Sequence, residues 1–388
     1  MANTLTGLYP VMYNAMNVVS RELIGFIPAV SRDATAEMAA ADQTVRSPVV
    51  PTMAGADITP TNIAAAGTDQ TINYVDITIS NQRKVSFNLT GEEERALGQS
   101  NQTIAQQRFA HAFRTLTNEI EDDIAELYVD ASRAYGTPGT TPFGTGDDLT
   151  DLTEAMRILD DNGAPRTDRA AVIGSAATAK LLGKQPSMFR VNEAGNGRAR
   201  IFGQMEQLFG FGMYASDKIK LHTAGAGALS TLSPTYLVDN VAGYAAGTND
   251  VNIDTGTGAF VDGDIVEFAS DGYKYLITDA ETGGTDTVLN LANPGLVTSI
   301  SDGDTVIGAG NYTANMVFSR DAIQLAARVP AVPSGGDQAD DRTIITDPVS
   351  GLSFEVSVYR QYRQVTYEVA ICWGVKAVKP EHMALLLG

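Results

Sequence analysis

The sequence predicts an α+β protein with an all-β segment inserted in its second half. Three observations predict it. A long amphipathic helix occupies roughly residues 103–135, two strongly alternating strands lie near the C-terminus, and helical periodicity disappears between His222 and Ala314. That last stretch, 223–314, holds twelve acidic residues against one base, Lys274, and so carries −11 of the chain's formal −19.

At 388 residues, 44% hydrophobic and 19% charged, the chain is globular, long enough for a sizeable core and for two or three domains. A strongly negative chain without clustered Lys or Arg is no nucleic-acid binder, because binding requires cations that displace phosphate counterions. Cys372 is the single cysteine, which excludes an intrachain disulfide framework and a Cys-rich metal site. The N-terminal segment is expected to be neither a signal peptide nor a membrane span. Its first base is Arg21, no small-residue cleavage site follows an apolar core, and Asn14, Asn17, Arg21 and Glu22 interrupt the apolar run.

Within that segment Leu8, Val11, Met12, Ala15, Val19 and Leu23 fall at helical spacing, predicting an amphipathic helix that lies on its own core or on a neighbouring subunit. From Ala34 to Gln70 the chain is rich in Ala, Thr, Pro and Gly, and Pro48, Pro51 and Pro60 discourage a helix. Two alternating strands follow, "VDITIS" (Val75, Ile77, Ile79) and "KVSFNL" (Val85, Phe87, Leu89). The polar link 81–84 predicts that they form a projecting hairpin. Arg83 and Lys84 in that link read as a charged turn, or as partners for acids on a neighbouring copy. Glu92, Glu93 and Glu94 read as the solvated start of a helix, favoured by its dipole, or as an acid cluster with a role.

The clearest element comes next. Phe109, Phe113, Leu116, Ile120, Ile124, Leu127 and Ala131 recur every three or four residues, with Glu119, Glu121, Asp122, Asp123, Glu126 and Asp130 among them. The pattern predicts a helix from near Ser100–Thr103 to Gly136, roughly 45–50 Å long, a spine rather than an ordinary core helix. A second helix spans Leu152–Leu159 and ends at Gly163 and Pro165. "AAVIG" then predicts a short buried strand, and Ser175 caps a helix closing at Gly183. In 223–314, runs such as "TYLVD", "DIVEF", "KYLIT" and "TVLNL" between Gly, Asn and Asp predict a small barrel or sandwich. Beyond it, Leu352, Phe354, Val356 and Val358 form one strand face and Val365, Tyr367, Val369, Ile371 and Trp373 another, with "RQYRQ" turning between them.

No chemistry converges. His111, His222 and His382 have no metal-ligand spacing with each other or with Cys372, which excludes a recognisable metal site or Cys-His nucleophile. "GKQPS" and "GNGRAR" only imitate phosphate-binding loops, and Ser175 in "GSAA" lacks the second glycine of a nucleophile elbow. Asp262–Gly263–Asp264 and Asp302–Gly303–Asp304 are the nearest approach to calcium ligands. The EF-hand and β-roll patterns are absent, however, and Asp-Gly favours tight turns. No enzyme and no cofactor is expected.

The ending "AICWGVKAVKPEHMALLLG", with Trp373, Gly374, Val375 and Pro380, resembles the W/Y-G-V-x-A-x-x-P-E pattern of the major capsid (coat) proteins of tailed bacteriophages, the Hong Kong 97-like fold. "VDGDIVEFA" and "FSRDAIQLAARVP" are similar to the insertion-domain subfamily typified by the coat protein of the short-tailed Salmonella transducing phage. The resemblance implies an N-terminal arm (1–45), an extended β-hairpin loop (46–98) and a peripheral domain (99–165 and 325–371, spine helix 103–135). It also implies an axial domain (166–222, 315–324 and 372–388) and an inserted β-barrel (223–314). With one base, that insertion cannot supply both sides of ion pairs to its own copy.

The function implied is a virion shell protein, assembled in the bacterial host cytoplasm into hexamers and pentamers of an icosahedral capsid that encloses double-stranded DNA and expands on maturation. Its partners would be itself, a scaffolding protein, a portal at one vertex and a decoration protein, with no membrane. Arg83, Lys84 and Glu92–Glu94 would lie at subunit contacts. The alternatives are an encapsulin-like bacterial compartment and, from another class, a calcium-binding β-domain surface protein.

Overall fold

The computed structural model describes residues 8–22, 25–49, 73–97, 101–144, 148–183, 207–229, 235–280, 286–348 and 350–388. The chain opens with α1 (Tyr9–Glu22), the short α2 (Phe26–Ala29), β1 (Ser31–Ala39), β2 (Thr44–Val49), β3 (Asn73–Thr78), β4 (Asn81–Thr90), α3 (Gly91–Leu97) and α4 (Asn101–Glu126). It continues through β5 (Arg133–Tyr135), α5 (Thr150–Asp161), β6 (Arg169–Ile173) and α6 (Ser175–Gly183). Short strands follow: β7 (Gln207–Leu208), β8 (Phe211–Ala215), β9 (Leu221–His222), β10 (Leu237–Val238), β11 (Asp250–Asp254), β12 (Ile265–Phe268), β13 (Lys274–Ala280), β14 (Asp286–Leu291) and β15 (Val306–Gly308). The last six are β16 (Tyr312–Ser319), β17 (Ile323–Pro330), β18 (Asp341–Thr346), β19 (Ser353–Gln361), β20 (Gln364–Ala377) and β21 (Met383–Leu387). Leu23 and the segments "KQPS" and "GNGRAR" lie outside the described residues.

A six-stranded sheet runs β1-β17-β20-β19-β18, with β4 on the other edge of β20. Its apolar face, with Phe354, Val356, Val369 and Ile371 buried, packs against Phe109, Phe113, Leu116 and Ile120 of α4. Phe113 meets Phe354 edge-on at 5.1 Å, and Phe109 meets Phe87 at 5.0 Å. The β19–β20 pair turns within the expected "RQYRQ", through the two residues between Gln361 and Gln364, with Arg363 at φ 60°. Met12, Ala15, Met16 and Val19 of α1 join the same cluster, so this amphipathic helix lies on its own core.

The second sheet passes through β5-β21-β16-β6-β8, covered by α5 and α6 through Leu152, Leu159, Ala177 and Leu181. The C-terminal strand β21 is inserted between β16 and β5 and is fully paired. In 237–308, pairing runs β10-β11-β14-β13-β12-β15. Val238 N–H then donates to Asp304 O (2.9 Å), and Val306 N–H donates to Tyr236 O (2.9 Å), so the path returns to its start. This ring encloses a separate core of Val238, Val251, Ile253, Val266, Phe268, Tyr275 and Leu289. It joins the second sheet through β13 and β5.

Two expectations are corrected. "VDITIS" and "KVSFNL" do not form a hairpin. β3 pairs with β2, and β4 pairs with β20 from Asn81↔Trp373 to Thr90↔Gln364. Both segments alternate correctly, but alternation cannot choose a partner, and the 81–84 link is itself strand. β2 and β3 thus form a two-stranded ribbon, and β4 joins the first sheet. The spine helix stops at Glu126 after 26 residues, about 39 Å, instead of reaching Gly136. A 3₁₀ turn follows at Leu127–Asp130, and Ser132 bonds through both N–H and Oγ to Met383 O (3.0 and 2.7 Å), handing the chain to β5. The helix of 150–161 covers the second sheet, and β20 stays in the first sheet to Ala377.

Candidate functional site

The Asp262–Gly263–Asp264 turn lies where the ring meets the end of the spine. Gly263 sits at φ +87°, and a Cβ there would press on Val129, His222 and Tyr128 at 3.0–3.3 Å, so both conformation and space require glycine. Asp264 is fully buried. Its Oδ2 accepts N–H from Val261 (2.8 Å) and Gly225 (3.2 Å), and its Oδ1 faces His222 Nε2 at 2.9 Å. A carboxylate only accepts, so Nε2 carries a proton, and Nδ1 lies 2.8 Å from the Tyr128 hydroxyl. The His222 ring stacks on Tyr312 at 4.8 Å, and the Tyr312 hydroxyl donates to Gly263 O at 2.5 Å. Burial pushes the Tyr128 and Tyr312 hydroxyls above their ordinary values.

This is a closed polar joint, in which the Asp264 carboxylate is met by N–H donors from Val261, Gly225 and His222. At the second triplet, Asp302 Oδ1 accepts Asn240 N–H (3.0 Å), and Asp304 Oδ2 accepts from the Ser270 N–H (3.3 Å) and hydroxyl. Both triplets form turns, Asp264 N–H reaching Val261 O and Asp304 N–H reaching Ser301 O. Among the described residues no group of three His, Cys, Asp or Glu is placed to hold a metal.

Arg83 and Lys84 lie in mid-strand and have acids of their own chain. Arg83 Nε is 3.8 Å from Glu119, and Lys84 Nζ is 2.9 Å from Glu368. Glu92, Glu93 and Glu94 form the exposed first turn of α3. There Thr90 and Glu93 close a capping box, Glu93 N–H to Thr90 Oγ1 at 3.2 Å and Thr90 N–H to Glu93 Oε2 at 3.1 Å. Glu92 and Glu94 share an open cleft with Arg360, Tyr362 and Arg363 of the β19–β20 turn, where Tyr362 is 88% exposed.

Two acids on α4 hold the body together, and periodicity gave no sign of either. Glu121 is buried and accepts the Phe26 and Ile27 N–H groups at 2.6 and 2.8 Å, tying α2 to the spine. Burial pushes its carboxyl above the ordinary range, against the lowering effect of those N–H groups. Asp123 accepts the Trp373 indole N–H at 2.6 Å and the Asn81 amide at 2.5 Å. Gly374, beside that tryptophan, has no room for a Cβ, which would collide with Thr78 O at the base of the ribbon. Cys372 is buried, and loss of solvent pushes its thiol up to about 11, which disfavours the thiolate.

No protein-family model and no curated protein matches this chain. Solved structures do. The chain is similar to the capsid of the cyanophage P-SCSP1u, with 12% identity over 93% of this chain and 87% of that one, at a TM-score of 0.46. It is similar to the capsid of Ralstonia phage GP4 (10% identity, 92% and 86% covered, TM-score 0.45). It is also similar to a virus-like particle from Pyrococcus furiosus (10% identity, 98% and 99% covered, TM-score 0.42). Among the described residues no helix is long and apolar enough to cross a membrane.

Proposed function

We propose that this chain is the major capsid protein of a tailed bacteriophage, a Hong Kong 97-like subunit of the insertion-domain subfamily, with the strand ring of 237–308 as its inserted β-barrel. One observation carries the reading: the residues of the "WGV" resemblance are those at the crossing of ribbon, spine and long strand. Trp373 is bonded to the spine through Asp123, and Gly374 admits the ribbon's backbone. A sequence motif located at the point that joins three elements supports a shared architecture rather than chance likeness.

On this reading the β2–β3 ribbon is the extended loop that reaches a neighbouring copy, and α1 with β1 is the N-terminal arm. Copies close hexamers and pentamers through a heterologous contact, and many weak contacts sum to a stable shell. The exposed end of the first sheet, with Glu92, Glu94 and the Tyr362 turn, supplies subunit contacts. Arg83 and Lys84 are secondary because acids of their own chain lie within ion-pair distance. A scaffolding protein guides assembly in the host cytoplasm, a portal occupies one vertex, and a decoration protein binds outside. Double-stranded DNA is enclosed without a basic grip, as the −19 charge requires. Expansion uses the subunit as a two-state body, with the Tyr128–His222–Asp264 joint holding the barrel to the spine.

Negative-stain microscopy of the purified protein, with calcium and with chelator, tests this. Shells, hexamers or pentamers in both conditions are expected. Calcium-dependent monomers that never assemble would overturn it.

A further inference from the structure

We propose that the Tyr362 turn and the cleft beside it form an isologous contact, in which a second copy of this chain docks across a two-fold axis with each turn seated in the other's cleft. The inference deepens the proposed function and rests on it for the supply of copies; it names a contact that joins one ring of subunits to the next. The cleft, about 760 Å³, has walls of opposite charge. Glu92 and Glu94 stand on the α3 side, Arg360 and Arg363 on the side of the β19–β20 turn, and Leu89 and Val365 also line it. The walls are fixed relative to each other, because Gly91 N–H donates to Arg363 O at 3.2 Å and Thr90 pairs with Gln364 in the sheet. Arg360 has an acid of its own chain, Asp340, while among the described residues no ion pair engages Glu92, Glu94 or Arg363.

Tyr362 is the deciding residue. It is 88% exposed at the tip of the turn, with the Arg363 guanidinium 5.8 Å from its ring. Turn chemistry alone favours Gly or Asn where φ is +60°, so the turn does not account for Arg363. Tyrosine and arginine are among the residue types that dominate binding at protein interfaces, and here the two are presented together.

Charge selects a second copy as the occupant. The chain carries −19, so copies repel each other in most orientations. At this cleft two acids and two bases cancel, and a like copy meets no local repulsion. A partner of one strong charge would find half of the patch against it. Two-fold symmetry satisfies both signs at once: the acidic wall of each copy faces the basic turn of the other, and residues nearest the axis meet their own equivalents. The two Tyr362 rings then lie in the offset-stacked arrangement that aromatic pairs prefer. Burial of the rings supplies attraction, and the charges fix the register.

The test places a cysteine at the tip of the full chain, Y362C, with V241C as control, since Val241 is 93% exposed and Cys372 is buried. A disulfide requires Cα atoms within about 7 Å, which holds only for residues beside the axis. Under mild oxidation Y362C is expected to give a covalent dimer on a non-reducing gel at least tenfold more abundant than V241C gives. Adding E94R or R363E to Y362C sets like charges across the axis and is expected to lower that yield about tenfold, and adding both restores it with the signs exchanged. The contact is overturned if Y362C crosslinks no more than V241C, or if the combined variant stays as low as the single ones. Negative-stain microscopy of the same samples separates this contact from the proposed function. Shells without the crosslink sink the contact and leave the capsid reading standing. Crosslinked dimers that never form shells support the contact and sink that reading.

Discussion

Glu121 shows how one buried side chain ties the N-terminal segment to the body. Its carboxylate fills the two N–H groups at the start of α2, Phe26 and Ile27, and burial raises its pKa above the ordinary 4.5. Between the ordinary and the raised value the folded chain holds a proton that the unfolded chain has released. Stability from this residue is therefore fully present below the ordinary value and is lost as pH rises through the raised one. Glu121→Gln keeps a neutral acceptor and removes the titration. Urea midpoints of both proteins, from about pH 4 to about pH 7, are expected to show the parent losing ground to the variant as pH rises. If the parent gains ground instead, the two N–H bonds outweigh burial and the carboxyl is held below its ordinary value.

At the scale of elements, the junction of ribbon and long strand is the most tightly specified place in the fold. A Cβ on Gly374 meets the Thr78 carbonyl and comes within 3.1 Å of Ile79 Cα, both backbone atoms that a rotamer change cannot move. Gly374→Ala is expected to cost about 3 kcal/mol, as overpacking with a backbone shift does. Gly335→Ala, in open space, is expected to be neutral within about 0.5 kcal/mol. Thermal denaturation of the two variants side by side makes the comparison, and equal losses would refute it. The same junction marks where sequence reading succeeds and fails. The core face of the spine, Phe109 to Ile124, and the β19–β20 hairpin were legible because a periodic pattern and a short turn are local facts. The partner of "KVSFNL" was not, since it lies some 280 residues further on, at 364–373. Nor was the His222–Asp264 bond, which joins residues 42 apart that only the ring's closure brings together. Glu121 looked like one more solvent-facing acid because the α2 N-terminus that covers it leaves no mark in the helix's own periodicity.

For the whole molecule, charge decides the conditions under which copies can associate. Each carries −19, with −11 of it in 223–314, and long-range repulsion acts before any contact forms. Added salt shortens the Debye length from ~30 Å at 0.01 M to ~3 Å at 1 M, weakening that repulsion while leaving apolar burial intact. On the proposed function, if the subunits close rings mainly by burying apolar surface, the fraction of protein in shells should rise steeply over that range of sodium chloride, as read by light scattering and sedimentation. If the exposed Glu92, Glu94, Arg360 and Arg363 form ion pairs that dominate the contact, the same salt should dissolve shells that assembled without it. Repulsion between copies of net charge −19 acts over the whole surface, while a few exposed pairs contribute about 0–1 kcal/mol each. The expected outcome is therefore salt-promoted assembly, and shells that disappear as salt rises would reverse the assignment of what holds them together.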